Sequence, residues 1–234
     1  MDIANAHKRL KGLWGKIDRQ HNNQIARYIP PQSQVLDVGC GYGSLVHQLN
    51  QQGIQALGID TNAEHIEIGH QLFPNVNTRT VNAEFMDDMP EHSYDVIILK
   101  DTLHHLVWEN DTAAAFANFR RLLKPNGKLI VYDPNPMWIL KLARKIAKHV
   151  DPEVSPTLAR ETLNKYGFTV QQASYYEVCG LPLSGGYVGV PLVPNIAVLN
   201  TLVAATNNGL SNVFNSIGLG KWICWRYLMV ATLT

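Results

Sequence analysis

Apolar and polar positions follow two periods along this chain. Short apolar runs, "QVLDV" (Gln34 to Val38), "QALGI" (Gln55 to Ile59), "YDVIILK" (Tyr94 to Lys100) and "KLIVYD" (Lys128 to Asp133), alternate with stretches whose apolar residues recur at helical spacing. Those helical stretches are Ser44 to Gln52, Ala63 to Leu72 and Thr112 to Leu123, the last stopped by "KPNG". A short extended stretch falls near Val76 to Val81. Runs that are apolar at nearly every position read as strands buried on both faces, which is how parallel sheets covered by helical crossovers look in sequence. The β-α-β repetition predicts an α/β fold built on a doubly wound, mostly parallel sheet.

Beyond Pro134 the pattern predicts an amphipathic helix over Trp138 to His149, then a helix in "SPTLARETLNKYG" with Ser155 as its cap and Gly167 as its stop. "FTVQQASYY" reads as a strand, and "KWICWRYLMVATL", rich in aromatic and β-branched residues, as the last one. The connection between these two is far longer than usual. At the other end, "MDIANAHKRLKGLWGKIDRQ" reads as a polar helix without the apolar core of a secretory signal, so export is not expected. With 234 residues, 46% of them hydrophobic, one core is expected rather than two independent domains. Cys40, Cys179 and Cys224 are odd in number and widely spaced, which suits a reducing cytoplasm better than a disulfide framework.

The most informative stretch is "VLDVGCGYG", Val35 to Gly43. Its three glycines permit positive φ and let a ligand lie against bare backbone at the carboxyl end of the first strand. A dinucleotide-binding turn would read G-x-G-x-x-G, but the sixth position from Gly39 is Ser44. Asp37, two residues before the first glycine, would repel a phosphate. The same carboxylate suits a ligand carrying an ammonium and a sulfonium, because charge-assisted hydrogen bonds are about twice as strong as neutral ones. The second strand ends in "GID", which puts Asp60 at the next tip, where an acid can take both hydroxyls of a ribose.

From Gln34 to Asp133 these residues resemble the class I S-adenosylmethionine-dependent methyltransferases. The resemblance implies a Rossmann-like, doubly wound seven-stranded sheet, mostly parallel with an antiparallel C-terminal strand. It implies a single methyltransferase domain over residues 1–234, with 1–34 as a helical cap and 178–220 as an insertion before the last strand. S-adenosylmethionine is then the cofactor and S-adenosylhomocysteine the product, held by Asp37, Gly39, Cys40, Gly41, Gly43, Asp60 and Thr61. At the third strand tip, "VNAEF" has Asn82 where the family commonly has an acid for the adenine amino group, followed by Ala83 and Glu84; either Asn82 or Glu84 makes that contact. Leu99, Lys100 and Asp101, at the fourth tip, would lie beside the methionine part.

"DTLHHL" puts His104 and His105 where the family keeps active-site residues, and His105 matches its common histidine. An oxygen acceptor needs a base to remove its proton, and both are candidates. In many members that histidine instead packs structurally. Asp101, His104 and His105 also have a spacing some quinone-ring O-methyltransferases use for a divalent metal, but one carboxylate among three ligands suits magnesium poorly, so no metal is expected. "DPNP" follows the fifth strand rather than the fourth, unlike the D-P-P-Y motif of nucleic-acid amino methylases, and a net charge of +1 gives no reason to expect nucleic acid.

Charge is unevenly placed. The segment through Gln34 carries Lys8, Arg9, Lys11, Lys16, Arg19 and Arg27 against Asp2 and Asp18, and its Trp14 and Tyr28 are candidates to line an acceptor pocket. From Gly180 to Thr234 there is no Asp or Glu, and only Lys221 and Arg226 are charged. Within it, the insertion Gly180 to Asn212 reads as core, as a hydrophobic lid or as a lipid-contacting element; Pro191, Pro194 and Asn195 exclude a clean membrane span. Together with the basic amphipathic 138–149 pattern, it adds peripheral membrane contact to the expectations. The expected function is methyl transfer to oxygen on a small or lipid-linked acceptor, with N- or C-methylation, or an inactive cofactor-binding scaffold, as alternatives.

Overall fold

The computed structural model describes residues 3–109, 111–137, 153–185 and 191–234. Two helices lead, α1 (Ile3–Lys11) and α2 (Leu13–Ala26). The alternating part follows: β1 (Gln34–Val38), α3 (Ser44–Gln51), β2 (Gln55–Asp60), α4 (Ala63–Leu72), β3 (Thr78–Thr80), β4 (Tyr94–Lys100), α5 (Leu103–Glu109), α6 (Thr112–Leu122) and β5 (Leu123–Pro134). The expected Trp138 to His149 helix lies outside the described residues. The chain then forms α7 (Pro156–Lys165), β6 (Phe168–Tyr176), α8 (Gly180–Leu183), α9 (Ala197–Ser216), α10 (Gly220–Ile223) and β7 (Arg226–Leu233).

All seven strands join one sheet in the order β3-β2-β1-β4-β5-β7-β6. Neighbours pair in parallel except β7, which is antiparallel to both β5 and β6. This is the Rossmann-like arrangement expected from sequence. The unbroken apolar run of β4 is explained by two covered faces. Ile97 and Leu99 pack with Phe116, Phe119 and Leu163 on one side, Val96 and Ile98 with Ile25, Leu45 and Leu49 on the other. Each such side chain stabilises the fold by about 1.5–3 kcal/mol relative to exposure.

Strand order reverses direction at β1, which has β2 on one side and β4 on the other. At such a switch point the loops leaving the two carboxyl ends diverge and open a crevice. Here those loops are the glycine turn after β1 and the Asp101–Thr102 link after β4.

Some boundaries differ from the sequence expectation. The single N-terminal helix is two, broken at Gly12; the pair approaches so closely that a Cβ on Gly15 would lie 1.8 Å from the Leu10 carbonyl oxygen. The last strand starts at Arg226 rather than Lys221, because the Cys224 N–H is satisfied by Gly220 O at 2.8 Å, within a helical turn, before the sheet is reached. Conversely "KPNG" does not separate α6 from a strand beginning at Lys128. Leu123 already pairs with Tyr94, and the register slip before Val96 and Lys128 absorbs the turn residues. Ser155 caps α7 as expected, its Oγ accepting from Leu158 N at 3.1 Å.

Candidate active site

The glycine turn adopts positive φ at all three glycines, 73°, 54° and 78° for Gly39, Gly41 and Gly43. Their purposes differ. A Cβ on Gly39 would fall 2.3 Å from Thr102 Oγ1, which occupies that space in order to donate to Val38 O at 2.9 Å and so ties the β1 and β4 tips together. A Cβ on Gly43, the residue that starts α3, would meet Thr78 Cγ2 at 2.9 Å. A Cβ on Gly41 would meet nothing within 4 Å among the described residues, so that side of its backbone borders open space.

Two cavities flank that backbone. The smaller, about 230 Å³, lies between the turn and the N-terminal helices and is lined by Trp14, Asp18, Asp37, Gly41, Tyr42 and Lys100 among others. The larger, about 500 Å³, runs along the β1, β2 and β4 tips past Asp60, Thr61, Asn82, Ala83, Thr102 and His105. Gly39, Gly41, Lys100 and Asp101 border both. Together they reach the size usual for small-molecule and cofactor sites.

Most of the expected site residues therefore converge on one crevice, but not all. Leu99 is fully buried within the core cluster and enters neither cavity. Glu84 is turned towards α6, its Oε1 accepting from Asp111 N at 2.9 Å, so Asn82 and Ala83 are the residues at the third tip that face the crevice. Cys40 borders the smaller cavity, but its sulfur packs on Gly58, where a Cβ would come within 2.8 Å, and burial pushes its thiol far up. Gly43 serves α3 rather than a cavity wall. Tyr28, a candidate for the acceptor pocket, instead packs under the sheet, accepting a hydrogen bond from Gln172 at 3.0 Å.

The electrostatics are concentrated in a few groups. Asp37 is 1% exposed, and its Oδ1 has no hydrogen-bond partner among the described residues. Burial pushes its carboxyl up to about 7; Lys100 opposes the rise, and Asp60 and Asp18 add to it. An unpartnered buried carboxylate is costly, and a cation in the adjoining cavity relieves that cost. Lys100 is not that cation, being held by Asp18 at 2.6 Å and Asn22 at 2.7 Å. Burial raises the Asp18 carboxyl, but Lys100 and the Ser44 hydroxyl outweigh it and the net direction is down. Asp60 is anchored differently, its two oxygens accepting from Gly41 N and Asn62 N, each at 2.8 Å.

The two adjacent histidines separate. His104 is buried, with both its N–H and Nδ1 at Asp133 Oδ2, 3.1 and 3.0 Å away. His105 packs against it, tilted by 39° with ring centroids 4.2 Å apart, and stands on the wall of the larger cavity. Beneath them lies a charged cluster: Arg226 bonds Asp101 and, at 3.3 Å, Glu177, which also meets His21 Nε2 at 2.9 Å. Burial raises the Asp101 carboxyl, but Arg226 overrides it and the net direction is down. At the fifth strand tip Tyr132 is fully buried with its hydroxyl donating to Gln24, and Asp133 is held by His104. Among the described residues no group of three or more His, Cys, Asp or Glu is arranged to hold a metal ion.

Sequence reading missed Asp18, Tyr42 and His65. The Tyr42 and His65 rings meet with centroids 4.8 Å apart and planes tilted by 57°, and nothing in their sequence positions announces it. Asp18 left one signal, an acid isolated among basic residues in the N-terminal segment.

Comparison with known proteins agrees with this geometry. Residues 36–131 match the model of a family described as "Methyltransferase domain". The ubiquinone biosynthesis O-methyltransferase of Saccharophagus degradans is 29% identical over 202 residues, covering 74% of this chain and 82% of that protein. The protein of the same name from a Bradyrhizobium species is 29% identical over 112 residues, 45% of this chain, and only 41% of its own length is spanned. Among solved structures, a SAM-dependent methyltransferase from Archaeoglobus fulgidus superposes with a TM-score of 0.63 at 18% identity, covering 92% of this chain and 93% of the other. The matched domain and the strand order agree: residues 36–131, which carry the crevice, form a methyltransferase domain, and the chain shares the Rossmann-like fold of the S-adenosylmethionine-dependent methyltransferases.

Proposed function

We propose that this enzyme transfers the methyl group to an oxygen of a small or lipid-linked acceptor, with His105 as the base. The observation that carries the reading is that His105 alone of the histidine pair stands on the cavity wall, while His104 is held by Asp133. The names of the relatives, O-methyltransferases of ubiquinone biosynthesis, support it. Residues 1–234 act as one methyltransferase domain, with the segment through residue 34 as a cap over the crevice and 178–220 inserted before the last strand.

The residues present fit the cofactor: a bare backbone at Gly41, an unpartnered acid at Asp37 and an acid at the second strand tip. When bound, S-adenosylmethionine supplies a methyl group already activated on a positive sulfur. Asp37 takes its amino group, Asp60 the ribose hydroxyls, and Asn82 with Ala83 the adenine. Gly39 and Gly43 keep the turn in shape, Thr61 and Asp101 border the same crevice, and Lys100 fastens the cap to the β4 tip through Asp18. The protein's remaining task is alignment, which suits a crevice built on rigid strand tips. His105 holds the acceptor hydroxyl and takes its proton on an imidazole nitrogen.

His105→Gln is therefore expected to lower kcat roughly 10²- to 10⁴-fold with cofactor affinity unchanged. The assay follows labelled methyl from S-adenosylmethionine into the organic-soluble fraction of a cell extract. Undiminished incorporation by the variant would point instead to a nitrogen or carbon acceptor.

Asp37 makes cofactor binding pH-dependent. Its folded value of about 7 lies above the ordinary 3.9 or so, so the folded apo protein binds the extra proton between those values. That stability contribution is complete below the unfolded value and is lost as pH rises through about 7. A bound ammonium favours the ionised form, so binding releases a proton. Affinity for S-adenosylhomocysteine should rise roughly ten-fold from about pH 6 to pH 8. Calorimetry in two buffers of different ionisation enthalpy measures both; a flat affinity with no proton release would rule Asp37 out as the amino-group partner.

A further inference from the structure

The helix α9 is inside out. Its buried positions are Asn200, Ala204, Asn207 and Ser211, three of them polar, whereas its outer side carries Val198, Leu202 and Val213, exposed by 79%, 61% and 53%. The inward polar stripe has a structural cause. β6 is the edge strand of the sheet, and the backbone around and beyond its end needs partners. Asn215 Oδ1 accepts from Tyr175 N at 2.9 Å and Ser211 Oγ from Glu177 N at 2.9 Å. Asn207 Oδ1 accepts from Val178, Cys179 and Gly180 N within 3.0 Å. With these polar residues taken up on the inside, the helix leaves Val198, Leu202 and Val213 exposed on its outer side, beside the exposed Thr201, Thr206 and Asn212.

Apolar residues continue past both helix ends, with Leu192 and Ile196 before it and Ile217, Leu219 and Trp222 after it, all exposed. None of the 20 residues of α9 is charged. Exposed apolar surface of this kind marks an interaction site. Its surroundings identify the partner. Lys221 Nζ lies 5.0 Å over the Trp222 ring at one end, and Lys16 Nζ donates to Thr201 Oγ1 at 2.9 Å near the other. No acid occurs anywhere from Gly180 to Thr234. A second copy meeting the same surface by two-fold symmetry would bring cation-flanked surfaces together with no acid from this stretch to offset them. A membrane leaflet with anionic headgroups fits both parts, with Trp and Lys at interfacial depth and the aliphatic side chains below.

We propose that α9 and its flanking apolar residues are a membrane-docking surface that lies in the interface of an anionic bilayer without crossing it. Among the described residues no helix is long and apolar enough to cross a membrane. Docking there would set the crevice close to the lipid: Asn195, just before α9, packs 3.6 Å from a Cβ built on Gly12, and the neighbouring Trp14 lines the smaller cavity.

The test is co-sedimentation of the full chain with phosphatidylcholine vesicles prepared with and without phosphatidylglycerol. Binding is expected only with phosphatidylglycerol and should weaken at least about ten-fold in the double variant Leu202→Glu/Val213→Glu, since each loses the burial of an aliphatic side chain. Circular dichroism and S-adenosylhomocysteine affinity of the variant should match the wild type. If the variant does not fold, Leu202→Gln and Trp222→Gln replace it, with the same loss expected. No binding, equal binding with and without phosphatidylglycerol, or equal binding by wild type and variants would overturn the proposal. So would a dimer in sedimentation velocity that the variants dissociate while vesicle binding is absent.

Discussion

Asp60→Ala should bind S-adenosylhomocysteine about two orders of magnitude more weakly than the wild type. Hydrogen bonds to a charged group contribute about 1.5–3 kcal/mol each, and losing two ribose contacts amounts to roughly a hundred-fold in affinity. The variant loses more than ligand contacts. The same carboxylate accepts from Gly41 N and Asn62 N, so it holds the turn in the conformation that leaves Gly41 bare and steadies the start of α4. Asp60→Asn keeps the shape and one acceptor oxygen and should fall between the two. Calorimetric titration ranks the three proteins, and an Asp60→Ala affinity within about three-fold of wild type would remove Asp60 from the site.

The largest effect on stability is expected at Arg226. This guanidinium is 3% exposed, bonds Asp101 and Glu177, and lies 5.6 Å over the Tyr132 ring. Arg226→Met preserves much of the volume but leaves Glu177, itself fully buried, with His21 as its remaining ion-pair partner among the described side chains. Breaking one side of a buried ion pair costs about 3–5 kcal/mol because the remaining charge is stranded. For a chain of this size that corresponds to a fall in Tm of roughly 10 °C. The double variant Arg226→Met/Glu177→Gln should recover part of it. Thermal unfolding followed by circular dichroism decides, and a single-variant shift under about 2 °C would mean the cluster is not the keystone its burial implies.

The cluster also shows why some of the site could not be read from the chain. His21, Asp101, Glu177 and Arg226 come from four separate parts of the sequence, and Arg226 reaches Asp101 and Glu177 because β7 inserts between β5 and β6. Asp37 and Asp60, in contrast, stand at strand tips beside glycines, where local chemistry and local geometry are the same statement. The histidine pair falls between these cases. Its place after β4 is a local property, but which ring faces the crevice depends on Asp133, brought alongside when β5 pairs with β4.

The segment from Gly180 to Ser216 was the least legible. Its composition suggested core, lid or lipid contact, and composition alone does not say which side of a helix turns inward. Hydrophobicity would bury Val198 and Leu202, yet the unpaired backbone of an edge strand drew Asn207, Ser211 and Asn215 inward instead. An unmet buried N–H costs about as much as exposing one aliphatic side chain, so the hydrogen bonds could prevail.

Local period and turn chemistry were enough to determine the alternating strands and helices, the crevice at the β1 and β4 tips and the cofactor class, because each depends on residues a few positions apart. Tertiary structure alone decided that His105 rather than His104 faces the crevice, that Asp18 neutralises Lys100, and that an uncharged helix turns apolar residues outward. Those outcomes are set by competition among groups distant in the chain for the same buried partners, and that competition is resolved only when the sheet closes around them.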